Sequence, residues 1–341
     1  MFRTSAVILI ALIVAFLIIS LVSSQPWHTI QIFMFEPVSS KAHIGNVIEM
    51  AIPLMFSGLA LSLLFKANLF NLGAEGIFYF SGVVAASIAI HAQLGNWLHP
   101  AVAVLAGGLV GALLSAIPGI LKAKWNASEL VTSLMFNSIL FGVGLYLLNY
   151  KLRDAKAFAT VSYKFQPTAI LDKLVPGTRI HTGLIVVLVC IVAVHFFLYK
   201  TKWGYELRMT GINRNFAEYS GIKTAKVIIL VHLIAGFIAG MGGSIEVLGM
   251  YNRFQWTALP GYGFDGALVA MLAKNKPFAV IGGAFFLAYI RIGADQMARM
   301  SDVPSEMIAI IQAVIILLIS AEQFLKFFKN RMLLREAAKD A

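Results

Sequence analysis

Long apolar runs separated by short polar segments form the pattern of this chain. The ten runs are residues 4–23, 44–65, 69–91, 97–121, 127–149, 182–199, 226–248, 262–273, 277–293 and 307–328. Most are long enough to cross about 30 Å of hydrocarbon as a helix. The run 262–273 is too short to cross alone, so we expect a half-helix buried against protein or part of a broken span. The pattern predicts an all-α polytopic membrane protein with about ten transmembrane helices, one of them short or broken.

Composition supports a membrane environment. Of the 341 residues, 59% are hydrophobic and 13% are charged, with a mean hydropathy of +0.82. Soluble domains carry about twice that charged fraction. The single cysteine, Cys190, lies inside an apolar run, which excludes a disulfide framework and a cysteine-based zinc site.

The distribution of charge predicts the topology. The chain has 27 Lys and Arg against 16 Asp and Glu, and such an excess is typical of cytoplasmic loops rather than of a nucleic-acid-binding surface. We expect cytoplasmic N- and C-termini, a cytoplasmic segment 200–226 and an external loop 150–181. A transmembrane domain then covers residues 1–328 and a basic tail covers 329–341. The external loop opposes the tendency, because it carries Lys151, Arg153, Lys156, Lys164, Lys173 and Arg179.

The first apolar run has two interpretations. Residues 1–23 fit a cleaved signal peptide, because Arg3 precedes the run and two serines follow it. We favour an uncleaved first span, because the run exceeds a usual signal core and no alanine-type cleavage site follows.

Enzyme motifs are missing from the sequence. There is no P-loop and no His-Glu-x-x-His, and the seven histidines never fall at metal-ligand spacing on one helical face. Residues 261–266 fit the dinucleotide pattern Gly-x-Gly-x-x-Gly, but no strand precedes them and no acidic residue follows at the ribose distance. We interpret these glycines as positions of a bend or of close packing. We therefore expect no catalytic residue, no metal and no cofactor in this chain, which is not an enzyme.

Small residues four apart predict close helix packing. They are Gly107 with Gly111, Gly236 with Gly240, and Gly240 with Ser244. Such spacing lets helix backbones approach closely in lipid. We expect spans four and seven to be interior helices.

Carboxylates inside or beside the apolar runs are candidates for a transport path. Each charge at mid-bilayer costs about 2.5–3.5 kcal/mol, so it should face protein or water. Glu49, Glu246 and Asp265 have no local partner in the sequence. Asn71 and Glu75 lie near the start of span three, where we expect Asn71 to cap a helix. Glu75 has two interpretations, a contact with the positive end of that helix or a contact with the cargo. Glu129 is predicted to be structural, as part of a helix-start capping pair with Asn126.

The cytoplasmic segment 200–226 predicts a short amphipathic helix between glycine stops. Asn213 or Asn215 can cap its start, and Gly221 suits a left-handed stop. Phe216 and Tyr219 are three apart and share one face. Two adjacent aromatic side chains on a short helix suit a partner's groove as anchors. The alternative is a helix lying on lipid headgroups.

Three stretches resemble permease subunits of ATP-binding-cassette importers, in the branch for ribose-type sugars, branched-chain amino acids and nucleosides. Residues 70–76, Phe-Asn-Leu-Gly-Ala-Glu-Gly, resemble the Asn-Ile-Gly-Ala-Glu-Gly-Gln block of the nucleoside and simple-sugar subfamily. Residues 211–222 are similar to its coupling loop, and residues 259–266 to its Pro-Gly-Tyr-Gly-Phe-Asp stretch. The likeness covers about residues 40–325. Ile77 replaces the subfamily's Gln and Arg214 its coupling-loop Pro, so no cargo contact by that Gln is carried over.

The resemblance implies partners for this chain. They are an ATPase, expected to have tandem domains and to hold ATP and Mg, a second homologous permease and a substrate-binding lipoprotein, all at a bacterial cytoplasmic (inner) membrane. A heterodimer is favoured over a homodimer. The residues expected to couple the chain to the ATPase are Gly204, Glu206, Arg208, Gly211, Asn213, Phe216, Ala217, Tyr219 and Gly221.

The expected cargo is a nucleoside, because the Ala-Glu-Gly block is typical of that subfamily and a ribose suits carboxamides and carboxylates. The candidate path residues are Glu49, Asn71, Glu75, Asn137, Glu246 and Asp265. A simple sugar of the ribose type is the alternative. An ion-coupled secondary transporter, with Glu49, Glu75 and Asp265 as proton or sodium sites, is the alternative from another class. A membrane enzyme ranks third, because no nucleophile, base and orienting group occur together at a readable spacing.

Overall fold

The computed structural model describes residues 23–304, together with residues 16, 17, 19, 20, 310, 313 and 314. Within this part the chain is mainly helical. The helices are α1 (Pro26–Phe35), α2 (Lys41–Lys66), α3 (Ala74–His91), α4 (Leu98–Trp125), α5 (Glu129–Leu147), α6 (Gly183–Lys200), α7 (Lys202–Ile212), α8 (Arg214–Tyr219), α9 (Thr224–Met250), α10 (Tyr262–Leu272) and α11 (Pro277–Met300). A π-helical turn, Leu148–Leu152, extends α5.

Seven of the described helices are long and apolar enough to cross a membrane, namely α2, α3, α4, α5 with its π-turn, α6, α9 and α11. They correspond to the predicted runs two to seven and nine. The predicted short run is also a short helix, α10, with 11 residues. Most of runs 4–23 and 307–328, and the whole tail 329–341, lie outside the described residues, so the count of ten and the topology stay predictions.

The chain divides into two compact units. One comprises Ile48–Phe286, and the other comprises Met1–Val47 with Leu287–Ala341. In the second unit, Asp302 accepts hydrogen bonds from the Ser23 hydroxyl at 2.6 Å and the Ser24 amide at 2.7 Å. These bonds lower the pKa of the Asp302 carboxyl to about 2. All candidate site residues from the sequence belong to the first unit.

The packing of α4 against α9 confirms the close helix packing that the small-residue spacing predicted. A side chain at Gly107 would overlap Ser244, and one at Gly111 would overlap the backbone oxygen of Gly236. A side chain at Gly240 would in turn overlap the backbone oxygen of Gly107. The two helices are therefore in backbone contact, and the small residues allow the close approach that their spacing predicted.

The segment between α9 and α10 packs against other parts of the first unit. Its neighbour is the loop after α5, whose Ser162 amide donates to Phe254 O and whose Phe165 amide donates to Asn252 O, each at 2.9 Å. Asp154 pairs with Arg253 at 3.0 Å. Phe254 and Trp256 are buried and their rings contact Tyr79 on α3. These contacts place the segment that follows α9 beside α3. Helix α10 then begins near the start of α3.

Candidate functional site

The segment 200–226 contains two helices, not one. We expected a single short helix between glycine stops, and α8 fits that expectation. Its start is capped by Asn213, whose side-chain oxygen accepts the Phe216 amide at 3.0 Å, and it is followed by Gly221 at φ 83°. The additional helix, α7, is capped at its start by Thr201, whose hydroxyl accepts the Gly204 amide at 3.1 Å. The interpretation of Gly211 as a stop is wrong, because α7 continues through it to Ile212.

Two glycines fix α7 against the membrane helices. A side chain at Gly204 would overlap the backbone oxygen of Phe197 on α6, and one at Gly211 would overlap the backbone oxygen of Lys66 on α2. Glycine is therefore required here for close approach rather than for chain reversal. Arg208 adds to this anchorage, because its guanidinium lies 5.3 Å from the centre of the Tyr199 ring. Glu206 lies beside Lys202, at 3.9 Å.

Helix α8 buries a small side chain and exposes its aromatic side chains. Ala217 is buried, whereas Phe216 is 54% exposed and Tyr219 is 93% exposed. Glu218 accepts hydrogen bonds from the Thr224 hydroxyl and from Arg214, and these bonds lower the pKa of its carboxyl. The Thr224 contact ties α8 to the first residue of α9.

Two clefts flank these helices. One, of about 620 Å³, lies between α7 and α9, and its rim carries Lys202, Lys223, Lys226 and Glu206. The other, of about 400 Å³, lies between α7 and the ends of α2 and α6, and its lining includes Arg208 and Met209. The surface around α7 is therefore concave on two sides and carries more positive than negative charge.

The buried carboxylate of Glu75 caps a helix. Its Oε1 accepts the Gly261 amide at 2.6 Å, and its Oε2 accepts the Gly263 amide at 2.6 Å and the Phe264 amide at 3.3 Å. The first amides of a helix have no partner within the helix, and a carboxylate also favours the positive end of the helix dipole. The sequence suggested a cap near the start of span three, but the helix that Glu75 caps is α10, 186 residues away.

The glycines around residue 262 have the packing role that the sequence suggested. Gly261 has φ 85°, in the left-handed region, and a side chain at Gly263 would overlap the backbone nitrogen of Glu75.

Two carboxamides order the start of α3. Asn71 Oδ1 accepts the Gly73 amide at 2.6 Å, in the turn that precedes α3. The predicted helix cap by Asn71 is wrong, because the N-cap residue of α3 is Gly73 and no side chain caps it. Asn137 on α5 accepts the Gly76 amide at 2.9 Å through Oδ1 and donates to Leu72 O at 3.0 Å through Nδ2. The structure thus brings Asn71, Glu75 and Asn137 together, with all three bonded to backbone.

Asp265 and Ile77 lie near this arrangement. Asp265 is buried in the first turn of α10, the helix that Glu75 caps. Ile77 and Asn71 line a cavity of about 10 Å³ between α2, α3, α4 and α9, which is at the lower limit for one water molecule. The bundle is therefore closed at this level.

Glu49 and Glu246 belong to a separate cluster that also contains His181. One ligand atom from each residue lies within 4.8 Å of the others, and all three residues are buried. The Tyr262 hydroxyl donates a hydrogen bond to Glu246 Oε1 at 3.0 Å. Burial lowers the pKa of the His181 imidazole to about 4, so the ring is neutral at pH 7.

His181 and Tyr262 were not among the sequence candidates. No local pattern marks them, because Glu49, His181 and Glu246 are contributed by α2, by the residues before α6 and by α9. The expectation about histidine spacing considered one helical face at a time, and this cluster draws a single histidine from a non-helical segment.

Glu129 has the structural role that was expected, through another contact. Its carboxylate pairs with Lys122 at 2.8 Å. Asn126 is the left-handed C-cap of α4 at φ 51°, and Ser128 rather than Asn126 precedes α5.

The comparisons with known proteins agree on a transport family. A family model described as "Branched-chain amino acid transport system / permease component" matches residues 43–320. The chain is 30% identical to a glucose ABC transporter permease protein of Haloferax volcanii, over 98% of this chain and 90% of that protein. It is 31% identical to a guanosine ABC transporter permease protein of Bacillus subtilis, over 85% of this chain and 84% of that protein. A second guanosine permease chain of the same strain is 22% identical, over 75% of this chain and 83% of that protein.

Proposed function

Because this chain belongs to the family of branched-chain amino acid transport system permease components, we propose that it forms the membrane path of an ATP-driven importer for a nucleoside. The chain is a permease subunit of an ABC transporter for nucleosides or sugars, a transport component rather than an enzyme, and a multi-pass protein of the cytoplasmic membrane. The family implies an ATPase partner and a substrate-binding protein. ATP and Mg belong to that ATPase, and this chain needs no cofactor of its own.

The exposed aromatic face of α8 carries the assignment of the ATPase contact. Phe216 and Tyr219 project from a helix whose ends are fixed by Asn213 and by the Glu218–Thr224 bond. Rigid, exposed aromatic side chains beside concave clefts are typical of binding hot spots. We assign α8 to a groove of the ATPase, on the cytoplasmic side of the membrane.

The contacts of α7 and α8 provide a route for movement. The backbone of α7 touches α6 at Phe197 and α2 at Lys66, and α8 is bonded to α9 at Thr224. A displacement of α8 by the ATPase would therefore move three membrane helices together. Closure of the nucleotide domains would in this way drive alternating access as a rigid-body rotation.

The second permease is proposed to be a different chain. Two guanosine permease chains of one Bacillus strain are both similar to this chain, but at 31% and 22% identity. Such a difference supports a heterodimer in which this chain takes the place of the more similar subunit. The external loop 150–181, with its six cations, is proposed to face the binding lipoprotein and to attract an acidic surface on it.

For the cargo, we propose a nucleoside, with a simple sugar as the second candidate. The similar proteins carry both names, guanosine and glucose, at nearly equal identity. Asn71, Glu75 and Asn137 lie at or beside the start of α3 and bind backbone groups. We therefore propose that they shape the path around the small cavity that Ile77 lines. Uptake of labelled guanosine that free guanosine blocks and ribose or glucose does not would support the nucleoside. Block by the free sugar would favour the second candidate.

The contact with the ATPase is tested by replacing the aromatic pair. In the assembled complex, Phe216→Ala with Tyr219→Ala should weaken ATPase co-purification at least about 30-fold, as expected for loss of a hot spot of about 2 kcal/mol. ATP-driven uptake should be lost in parallel. Tyr150→Ala is the matched control for co-purification, because Tyr150 is 75% exposed on the π-turn after α5, away from the proposed ATPase contact. Unchanged co-purification and uptake in the double variant would refute the assignment.

Uptake that is abolished by an ionophore but spared by vanadate would instead indicate an ion-coupled secondary transporter.

A further inference from the structure

We propose that Glu49, His181 and Glu246 form a binding site for one divalent transition-metal cation, with Zn²⁺ as the probe. The three ligand atoms lie within 4.8 Å of one another. Glu49 is 3% exposed, His181 0% and Glu246 1%. Nothing in the family assignment requires this site, and the sequence predicted no metal.

The donor atoms of the cluster suit a cation. Two buried carboxylates stand together, and among the ion pairs of the described residues none involves Glu49 or Glu246. Arg179 contributes positive charge near Glu49, but its side chain is exposed. One divalent cation can accept an oxygen ligand from each carboxylate and a nitrogen ligand from the imidazole. The histidine nitrogen favours zinc or a similar transition metal over magnesium or calcium.

The free atoms of the cluster are oriented by their neighbours. Tyr262 donates to Glu246 Oε1, and Glu246 Oε2 is buried with no hydrogen-bond partner among the described residues. The same holds for His181 Nε2, while the Gly183 amide donates to His181 Nδ1 at 3.2 Å. Side chains at Gly183 or Gly249 would collide with the imidazole, so the ring is held between two glycines. Metal binding through Nε2 requires the proton on Nδ1, so the long Gly183 bond would be exchanged for a coordination bond.

The size of the space fits an ion rather than cargo. Zinc bonds to imidazole nitrogen and carboxylate oxygen are about 2.0–2.2 Å long, so ligand atoms within 4.8 Å need only a modest contraction to enclose one ion. A nucleoside or a sugar does not fit between atoms this close. A bound ion would join α2, α9 and the residues before α6, at the end of α9 that lies 22 residues, or about 33 Å, from Thr224 beside α8.

Metal binding is measured on the purified full-length chain after removal of metal with a chelator. We expect one Zn²⁺ per chain by elemental analysis, and X-ray absorption showing one nitrogen and two oxygen ligands from protein. Glu49→Gln, His181→Gln and Glu246→Gln, which keep side-chain volume, should each weaken Zn²⁺ affinity by at least about a hundredfold. Tyr262→Phe, which removes the group that orients Glu246, should weaken it about tenfold.

Matched controls separate this site from other histidines and carboxylates. His232→Gln removes another buried imidazole whose Nε2 has no hydrogen-bond partner in the described structure, and Glu129→Gln removes the carboxylate paired with Lys122. Both should leave Zn²⁺ binding unchanged. Equal binding by the three cluster variants, no binding by the stripped wild-type chain at micromolar Zn²⁺, or an absorption spectrum without histidine nitrogen would overturn the proposal. The spectrum of the wild-type chain decides the matter even where a variant fails to fold.

Discussion

Glu75 and Glu246 are both buried carboxylates in membrane helices, yet their surroundings differ. Glu75 accepts three backbone amides at the start of α10, so both of its oxygens are engaged. Glu246 accepts one hydroxyl, from Tyr262, and its second oxygen has no hydrogen-bond partner in the described part of the chain. Burial alone therefore does not distinguish a structural carboxylate from one available to a ligand, whereas the set of hydrogen-bond partners does.

The partners explain why residue 75 must be a carboxylate, whereas the backbone does not require one at residue 246. Helix α10 begins inside the protein, where water cannot satisfy its first amides, and Glu75 supplies the acceptors. Glu246 lies 16 residues before Tyr262, near the end of α9, where the backbone needs no acceptor from it. We expect replacement of the two residues to have very different consequences for stability.

The largest effect is expected for Glu75→Ala. This change leaves three amides of α10 without their acceptor, and an unsatisfied buried donor is costly, so the free energy of unfolding should fall by about 3–5 kcal/mol. Thermal unfolding followed by size-exclusion chromatography in detergent measures the loss. Glu75→Gln should lie between the wild type and Glu75→Ala, because its carbonyl oxygen replaces only part of the carboxylate. Wild-type stability of Glu75→Ala would show that the cap is dispensable.

A smaller loss is expected for Gly263→Ala, because the added methyl group would overlap the backbone of Glu75. Overpacking of this kind costs about 1–3 kcal/mol, and the same thermal assay detects it. Gly142→Ala on α5 is the matched control, since no atom lies within 4 Å of its added methyl group. That control should be neutral or more stable, by up to about 1 kcal/mol, because alanine favours a helix. Equal effects of the two changes would argue against the close contact.

Glu246→Gln should change the stability of the metal-free chain by less than about 1 kcal/mol. The variant keeps an acceptor for the Tyr262 hydroxyl and removes charge from an oxygen that has no hydrogen-bond partner in the described structure. The comparison with Glu75→Ala in one thermal assay is the sharpest test of the contrast. A loss as large as that of Glu75→Ala would mean that the Glu246 charge is a structural requirement.

The smallest effect on stability is expected for Tyr219→Ala. This side chain is 93% exposed, and such surface changes usually stay within about 0.5 kcal/mol. Unfolding of the isolated chain should therefore be unchanged while ATPase binding is weakened. A large loss of stability would show that Tyr219 supports the fold of this chain rather than a partner contact.

The sequence was sufficient where the physical cause is local. Spacing of four between small residues predicted close packing of spans four and seven, because residues four apart lie on one face of a helix. The structure shows that these two helices, α4 and α9, contact each other. A cap at Asn213 or Asn215 was predicted from local sequence alone, and the structure shows Asn213, whose side-chain oxygen accepts an amide three residues on.

Contacts between distant residues could not be predicted in this way. Glu75 and Gly261 are 186 residues apart, and Glu49, His181 and Glu246 come from three separate segments. Helix α7 was missed because glycine is unfavourable inside a helix, and α7 contains both Gly204 and Gly211. Their real constraint, contact with the backbones of α6 and α2, exists only in the folded chain.

The proposed function is tested most directly by the side of the membrane on which α8 lies. Tyr219→Cys is introduced after Cys190, the single cysteine of the chain, is replaced by Ser. A membrane-impermeant maleimide is then applied to right-side-out and to inside-out vesicles. We predict labelling only in inside-out vesicles, with slower labelling when the ATPase is bound. Labelling in right-side-out vesicles would contradict the account, because an external α8 cannot contact a cytoplasmic ATPase.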